Sequence, residues 1–134
     1  MDLSAEGEVP LNSGHDVVLA RQAVRRLTQQ LKFSLVDQTK MVTATSELAR
    51  NALIYGGGGT LTWTVVHGSA KQGLRLTFAD TGPGIPNLEL ALTDGWTSGQ
   101  GLGMGLSGAR RLVNDFHIES KVGVGTRVTI TRWK

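Results

Sequence analysis

The sequence contains no cysteine among its 134 residues. Disulfide bonds, thiolate metal sites and cysteine nucleophiles are therefore excluded. No stretch approaches the roughly 18 consecutive apolar residues of a transmembrane helix. The first residues also lack the basic segment and apolar run of a signal peptide. We therefore expect a cytoplasmic protein with no membrane partner.

Aromatic residues are few, and basic residues are scattered along the chain. Phe, Trp and Tyr make up 5% of the sequence, and 14 Lys and Arg against 11 Asp and Glu leave a net charge of +3. A nucleic-acid-binding surface needs clustered basic residues, so we do not expect nucleic acid as a partner. With 40% hydrophobic and 19% charged residues, the chain is typical of one soluble globular domain over residues 1–134.

Glycine is the residue present in excess. The chain has 18 glycines, which is about twice the usual share. They cluster at 56–59, 82–84, 99–108 and 123–125 and form neither a repeat nor a linker. Glycine allows unusual backbone angles and the close approach of another group. The clusters therefore indicate loops that bring the backbone close to a ligand.

Two helices are predicted in the first half of the chain. Apolar residues recur at spacings of three and four over residues 13–33, and Met41, Leu48 and Ala52 form an apolar stripe over residues 35–55. Ser34 is a favourable N-cap for the second helix, with Asp37 three residues later. A third helix is expected to begin near Leu106, with Ala109, Val113 and Phe116 on the same face.

Strands are predicted where apolar and polar residues alternate, a pattern typical of a sheet covered on one side. The apolar positions are Leu61, Trp63 and Val65; Leu74, Leu76 and Phe78; Phe116, Ile118 and Val122; and Val128 and Ile130. A short edge strand is expected at Val9–Leu11, where Pro10 excludes a central position. The predicted fold class is an α/β (α+β) two-layer sandwich, with a mixed, largely antiparallel sheet and about three helices on one face.

Four polar residues are candidates for a site. Glu47 and Asn51 are four residues apart, so their side chains share one face of the second helix. Asp80 is in phase with Phe78 and points to the covered side of the sheet, where an unpaired carboxylate is costly. Thr126 points to the same side. Taken singly, each has an ordinary structural explanation: an exposed pair, the first residue of a turn, and a strand residue.

A glycine-rich segment runs directly into the third predicted helix. In Gly101-Leu102-Gly103-Met104-Gly105-Leu106, alternate residues lack side chains, and the helix start supplies free N–H groups and a positive dipole end. This combination suits a phosphate group. The segment is not a Walker A loop, because it lacks Gly-Lys-Ser/Thr, and no strand precedes it as the dinucleotide fingerprint requires.

The order of these motifs is similar to the N, G1, G2 and G3 boxes of the GHKL ATPases. The motifs are Glu47-x-x-x-Asn51, Asp80-x-Gly82-x-Gly84, Gly101-x-Gly103-x-Gly105 and Gly125-Thr126. The predicted two-layer sandwich agrees with the Bergerat fold of that superfamily. Within it, the chain resembles the short anti-sigma-factor kinases, in particular the stressosome switch kinases. That likeness rests on Val36-Asp37-Gln38, Ser46-Glu47-Leu48-Ala49-Arg50-Asn51, Asp80-Thr81-Gly82-Pro83-Gly84-Ile85-Pro86 and Gly101-Leu102-Gly103-Met104-Gly105-Leu106.

The resemblance implies ATP and Mg²⁺ as ligands and assigns a role to each candidate. Asn51 would bind Mg²⁺ through its amide oxygen, Asp80 would accept a hydrogen bond from the adenine amino group, and Thr126 would support the adenine. Glu47 would be the catalytic base that takes the proton of the attacking hydroxyl. The implied ATP-binding residues are Asn51, Asp80, Gly82, Gly84, Ile85, Gly101, Leu102, Gly103, Met104, Gly105, Leu106 and Thr126.

The resemblance also implies a protein serine/threonine kinase that phosphorylates a STAS-domain partner and then binds a downstream effector, such as a PP2C-type phosphatase. One alternative is a nucleotide-bound regulatory binding module, acting as an anti-sigma factor or phosphatase activator without significant kinase activity. Another is a detached histidine-kinase ATP domain. It would need a separate phosphoacceptor, because His15, His67 and His117 occupy a cap region, a strand end and a solvent-facing strand position. Glu47 favours the kinase, since a pure binder needs no base beside the metal ligand.

Overall fold

Five strands and three helices form the part of the chain that the computed structural model describes, which is residues 3–87, 92 and 102–134. In chain order they are β1 (Glu6–Leu11), α1 (Gly14–Gln30), α2 (Leu35–Ile54), β2 (Gly59–His67), β3 (Gln72–Asp80), α3 (Leu102–Arg111), β4 (Asp115–Lys121) and β5 (Gly125–Trp133). None of the helices in these ranges is long and apolar enough to cross a membrane.

The starts of α1 and α2 are set by serine caps. The Ser13 hydroxyl accepts a hydrogen bond from the Asp16 backbone N–H at 3.2 Å, and Ser34 accepts one from Asp37 at 3.1 Å. Each cap pairs one of the N–H groups that a helix start leaves unbonded, and the acidic residue in the first turn complements the helix dipole. The predicted cap at Ser34 is confirmed.

The sheet has the strand order β1-β2-β3-β5-β4, and each neighbouring pair is antiparallel. The expectation of a mixed sheet is therefore wrong. Two antiparallel helices return the chain to the end where β1 finished, so β2 runs opposite to β1. Strand β4 does run in the same direction as β3, but β5 lies between them.

All three helices pack on one face of the sheet, with α2 in contact with both α1 and α3. Apolar side chains on that face are buried, and they include Leu61, Trp63, Leu74, Leu76, Phe78, Val128 and Ile130. The other face carries exposed polar residues such as Thr62, Arg75 and Arg127. The predicted two-layer arrangement, with one covered face, is confirmed.

Several element boundaries differ from the predicted ones. Strand β1 begins at Glu6, earlier than the expected Val9. Helix α3 begins at Leu102 and ends at Arg111, so the prediction of a start near Leu106 is wrong, and Val113 and Phe116 lie beyond the helix. Alternate glycines are poor helix formers, which made this segment resemble a loop. The expectation that Val122 belongs to a strand is also wrong, because it lies in the β4–β5 turn and is 66% exposed.

Arg132, near the end of β5, connects three elements. Its guanidinium donates to Asp37 Oδ1 at 2.7 Å and to the carbonyl oxygen of Leu112 at 3.0 Å, while its buried Nε has no partner among the described residues. Next to it, Trp133 covers Gly73, where an added Cβ would lie 2.8 Å from the indole ring. This end of the sheet, which we call the Trp133 end, is filled by large side chains.

Candidate functional site

A pocket of about 700 Å³ lies between the C-terminal half of α2 and the opposite end of the sheet, where β3 finishes and β5 begins. Its volume is within the usual range for small-molecule sites. The walls are largely apolar and include Leu48, Ala52, Phe78, Leu106 and Val128. A few polar groups among apolar walls are typical of a site that encloses a small organic ligand and fixes its orientation.

Six of the predicted site residues line this pocket, namely Asn51, Asp80, Gly84, Ile85, Leu106 and Thr126. They come from α2, the end of β3, the following loop, α3 and β5. Residues far apart in the sequence are thus brought to one cavity.

Three polar residues form a row across adjacent strands. Asp80 lies opposite Thr126 in the β3–β5 pair, and Thr126 lies opposite Ser120 in the β5–β4 pair. Directly opposite residues of antiparallel strands have side chains on the same face. Asp80, Thr126 and Ser120 therefore line up on the covered face, and we call them the polar row.

The Asp80 carboxylate is held by a close fit between the end of α2 and the loop after β3. Asp80 Oδ1 accepts a hydrogen bond from the Gly82 N–H at 2.9 Å. A Cβ at Gly56 would collide with the Asp80 carboxyl group, and a Cβ at Gly82 would lie 2.6 Å from Gly56 Cα. Gly82 is not among the residues that line the pocket. Its contacts with Asp80 and Gly56 therefore position the Asp80 carboxylate.

The loop after Asp80 is attached to the β4–β5 hairpin. The Gly123 N–H donates to the carbonyl oxygen of Pro83 at 2.9 Å, and the Ile85 N–H donates to Ser120 Oγ at 2.7 Å. Between these two bonds, Gly84 has a φ of 78°, in the region that favours glycine. The loop is thus bonded on both sides of Gly84.

Asn51 carries an unpaired polar atom at the pocket. Its Nδ2 is buried and has no hydrogen-bond partner within residues 3–87, 92 and 102–134, although buried polar groups are normally paired. Rotation of the amide by half a turn exchanges its oxygen and nitrogen, so the same position can present an oxygen ligand to a cation. Mg²⁺ typically takes one or two protein oxygens and fills its shell with water and phosphate oxygens. The Asn51 amide fits such a role.

Glu47 has the predicted position on the same helix as Asn51, whereas part of the predicted phosphate loop is helical. Glu47 lies one turn before Asn51 on α2 and is half-buried, but it is not part of the pocket lining. The predicted phosphate loop starts at Gly101, which lies outside the described residues. Its other members, from Leu102 to Leu106, belong to the beginning of α3.

Ser120 and Gly56 were missed as site residues by the sequence analysis. Ser120 continues the inward-facing series of Phe116 and Ile118, and a hydroxyl in such a series is a signal that could have found it. Gly56 gave no such signal, since its role depends on a contact with Asp80 that only the tertiary structure creates.

The three histidines lie apart from the pocket lining. His15 is in the first turn of α1, His67 ends β2, and His117 is on β4, and all three are exposed. His117 contacts Glu119 on its own strand at 3.0 Å. The positions expected from the sequence are confirmed.

Comparison with known proteins gives one family and several similar chains. The profile of the family described as "Histidine kinase-, DNA gyrase B-, and HSP90-like ATPase" matches residues 36–134. The chain is 41% identical to serine/threonine-protein kinase RsbT of Bacillus subtilis over 118 residues, covering 88% of this chain and 89% of that protein. It is 30% identical to an anti-sigma F factor of Clostridium kluyveri over 117 residues, covering 84% and 82%.

A solved structure has the same fold at low sequence identity. The mycobacterial sensor histidine kinase MprB superposes with a TM-score of 0.58 and 17% identity, over 96% of this chain and 97% of that one. At that identity the likeness concerns the architecture of sheet and helices alone.

Proposed function

The chain belongs to the family of histidine kinase-, DNA gyrase B- and HSP90-like ATPases, as its four motifs predicted, and on that premise we propose that it is an ATP-dependent protein serine/threonine kinase. The observation that carries the proposal is the pocket in which Asn51, Asp80 and Thr126 face one another across apolar walls. The similarity to a protein named serine/threonine-protein kinase RsbT supports the reaction class.

We propose that adenine lies between the apolar walls, with its amino group donating a hydrogen bond to Asp80. The bond from the Gly82 N–H already fixes one oxygen of that carboxylate, so the group is oriented before the nucleotide arrives. Preorganisation of this kind reduces the entropy lost on binding. Ile85 and Leu106 lie at the same cavity and would cover the ring.

Mg²⁺ would be held at Asn51, whose buried amide lacks a partner in the described structure. The ion, when bound, would neutralise charge that develops on the phosphate oxygens. The chain's own residues then position the nucleotide: the α3 helix starts at Leu102, and its free N–H groups suit the phosphates.

Glu47 is the residue we propose as general base. It would take the proton from a serine or threonine hydroxyl of the protein substrate as that oxygen forms a bond to the γ-phosphorus and the bond to the bridging oxygen of ADP breaks. Glu47 lies one turn of α2 before Asn51 and outside the pocket lining. That position is consistent with a base that contacts the incoming protein substrate rather than the nucleotide.

We further propose that the substrate is a STAS-domain regulator and that the protein works in the cytoplasm as a partner switch. In this scheme it phosphorylates the STAS-domain protein, leaves it, and binds a downstream effector such as a PP2C-type phosphatase. The similarity to anti-sigma F factors supports a function that includes binding of regulatory proteins. The same similarity supports a second candidate function, that of a nucleotide-bound binding module without significant kinase activity.

Transfer of labelled γ-phosphate from ATP to a STAS-domain partner separates the two candidates. We expect Glu47→Ala to slow the initial rate at saturating ATP by about 10²–10⁴-fold, with ATP affinity and partner binding close to wild type. Glu8→Ala, which removes an exposed carboxylate from β1, is the matched control. A Glu47→Ala rate within about threefold of wild type would contradict the role of Glu47 as base. No transfer by the wild-type protein, with partner binding retained, would instead favour the binding module.

A further inference from the structure

The outward face of α2 carries a row of side chains that includes the proposed base. Glu47, Arg50 and Ile54 are three and four residues apart, so they lie along one face of the helix. Arg50 is exposed and Glu47 is half-buried. Ile54 is 59% exposed, although it also lines the pocket. These three residues, which we call the α2 stripe, therefore connect the pocket with the surface of the protein.

Helix geometry places Glu47 between Asn51 and Arg50. Successive residues are rotated by about 100° around the helix axis, so Asn51 lies about 40° to one side of Glu47 and Arg50 about 60° to the other. Asn51 lines the pocket, whereas Glu47 and Arg50 do not. Arg50 is therefore on the side of the proposed base that faces away from the nucleotide pocket.

The two charged groups of the α2 stripe do not neutralise each other. A carboxylate and a guanidinium three residues apart on a helix can form an ion pair. Within residues 3–87, 92 and 102–134, however, the side chains of Glu47 and Arg50 have neither an ion pair nor a hydrogen bond. Both groups are thus available to a partner, and the planar fork of N–H donors on Arg50 matches a carboxylate.

Ile54 adds an apolar contact one turn beyond Arg50. Because its side chain is 59% exposed, apolar surface remains that a second protein can cover. Removal of such surface from water favours association. Since Ile54 also lines the pocket, a protein that covers it lies beside the bound nucleotide.

The position of Arg50 distinguishes two candidate anions. A phosphate of the nucleotide would lie in the pocket, which Arg50 does not line. A carboxylate of the protein substrate would arrive together with the hydroxyl group that Glu47 deprotonates. We propose that Arg50 is a substrate-binding residue that pairs with an acidic residue beside the phosphorylated serine or threonine, and that Ile54 packs against an apolar side chain of the same protein. This proposal rests on the proposed kinase function and deepens it, because it specifies an acidic and partly apolar substrate segment.

The test measures kcat and KM for phosphotransfer to a STAS-domain protein at saturating ATP. Arg50→Ala should raise the KM for that protein about tenfold, with kcat and ATP affinity within about twofold of wild type. Arg50→Lys keeps the charge but not the planar fork, so its KM should be intermediate. Ile54→Ala should raise the KM about threefold. Arg127→Ala, which removes an exposed arginine from the uncovered face of the sheet, is the matched control.

A charge exchange identifies the acidic residue of the substrate. Arg50→Glu should raise the KM more than Arg50→Ala does, because it places two carboxylates opposite each other. The acidic residues that flank the phosphorylated position of the STAS-domain protein are then changed to lysine one at a time. One of these changes should return the KM of Arg50→Glu to within about threefold of the wild-type pair. The wild-type KM should also rise with salt between about 0.05 and 0.5 M, and Arg50→Ala should reduce that rise.

The outcomes separate the role of Arg50 from the kinase function itself. Equal KM values for Arg50→Ala and Arg127→Ala, or no recovery in any exchanged pair, would overturn the role of Arg50 while phosphotransfer by the wild type remains. A loss of kcat or ATP affinity in Arg50→Ala, with an unchanged KM for the protein, would overturn it in favour of a contact with the nucleotide phosphates. No transfer by the wild type would overturn the kinase function, and this proposal with it.

Discussion

The two ends of the central strands β3 and β5 are built in opposite ways. At the Trp133 end, large side chains fill the space: Arg132 joins Asp37 and the Leu112 carbonyl oxygen, and Trp133 covers Gly73. At the pocket end, the strands carry Asp80 and Thr126, Gly59 of β2 pairs with Asp80, and Gly125 precedes Thr126. A polar atom of Asn51 has no partner there in the part of the chain that the structure describes.

The difference shows how one small sheet can provide both stability and a binding site. Protein interiors are close-packed, and buried polar groups are normally bonded. Among the described residues, the Trp133 end follows these rules except at the Arg132 Nε atom. The pocket end does not, because its packing is interrupted by a cavity of about 700 Å³. Substitutions at the pocket end should therefore change ligand binding and activity, whereas those at the Trp133 end should change the free energy of unfolding.

The largest effect is expected at the pocket end, from Asn51→Ala. This substitution removes the proposed Mg²⁺ ligand and should abolish phosphotransfer to a STAS-domain partner. Because it also removes a buried unpaired atom, the free energy of unfolding should stay the same or rise by about 1 kcal/mol. Transfer of labelled phosphate and urea denaturation measure the two quantities, with Asn12→Ala, at an exposed position, as control. Phosphotransfer at the wild-type rate would refute the assignment of Asn51.

The second effect is on nucleotide choice. Wild type should bind ATP at least about a hundredfold more tightly than GTP, since guanine presents an acceptor to the Asp80 carboxylate. In Asp80→Asn, the oxygen can keep its bond to the Gly82 N–H while the amide nitrogen faces the base, so the preference should shift toward GTP. Calorimetric titration measures both affinities.

Asp115→Asn is the matched control for that titration. Asp115 accepts a hydrogen bond from Trp133 Nε1 at 3.1 Å. The control substitution therefore removes a carboxylate charge, as Asp80→Asn does, but at the other end of the sheet. If both nucleotides bind the wild type equally well, Asp80 does not contact the adenine amino group.

The third effect is on stability. Arg132→Met should lower the free energy of unfolding by about 2 kcal/mol, less than the loss of a fully buried ion pair, because the Arg132 and Asp37 side chains are 15% and 25% exposed. ATP affinity should be unchanged. Denaturant unfolding of Arg132→Met, Asp37→Asn and the double variant gives the coupling between the two side chains. Arg25→Met, at an exposed position on α1, is the control, and an equal loss in that variant would show that the ion pair contributes nothing specific.

The smallest effect is expected at the helix caps. Ser13→Ala and Ser34→Ala should each cost about 1 kcal/mol of stability, because each removes the acceptor for one N–H group of a helix start. Neither should alter the preference for ATP over GTP, since both caps lie outside the pocket lining. Urea unfolding of the two variants beside Ser69→Ala checks this. A cost no greater than that of Ser69→Ala would show that water replaces the caps equally well.

The sequence predicted most of the fold because its signals are local. The apolar periodicity of α1 and α2, the cap at Ser34 and the alternation in β2, β3 and β5 each depend on residues close together in the chain. The antiparallel pairing throughout was not predictable in this way, since it depends on which strand lies between β3 and β4. The start of α3 was obscured by Gly103 and Gly105, whose low helix propensity is overridden in the folded chain.

For the site, the family motifs indicated residues that line the pocket but not those that support them. Asp80 and Thr126 were predictable because each is in phase with the apolar residues of its strand. Ser120 and Gly56 act through contacts across strands or between a helix and a loop. Such contacts have no periodic signature in the sequence.

The strand order also determines when the pocket exists during folding. Hairpins β2–β3 and β4–β5 are joined by short turns and can form early, but the pairing of β3 with β5 joins distant parts of the chain and closes a long loop. Only that pairing places Asp80 opposite Thr126. A nucleotide at the proposed site should therefore bind the completed sheet and neither hairpin alone. By mass action it should stabilise the whole domain, by about 2.7 kcal/mol at a hundred times its Kd, which is measurable as a rise in Tm.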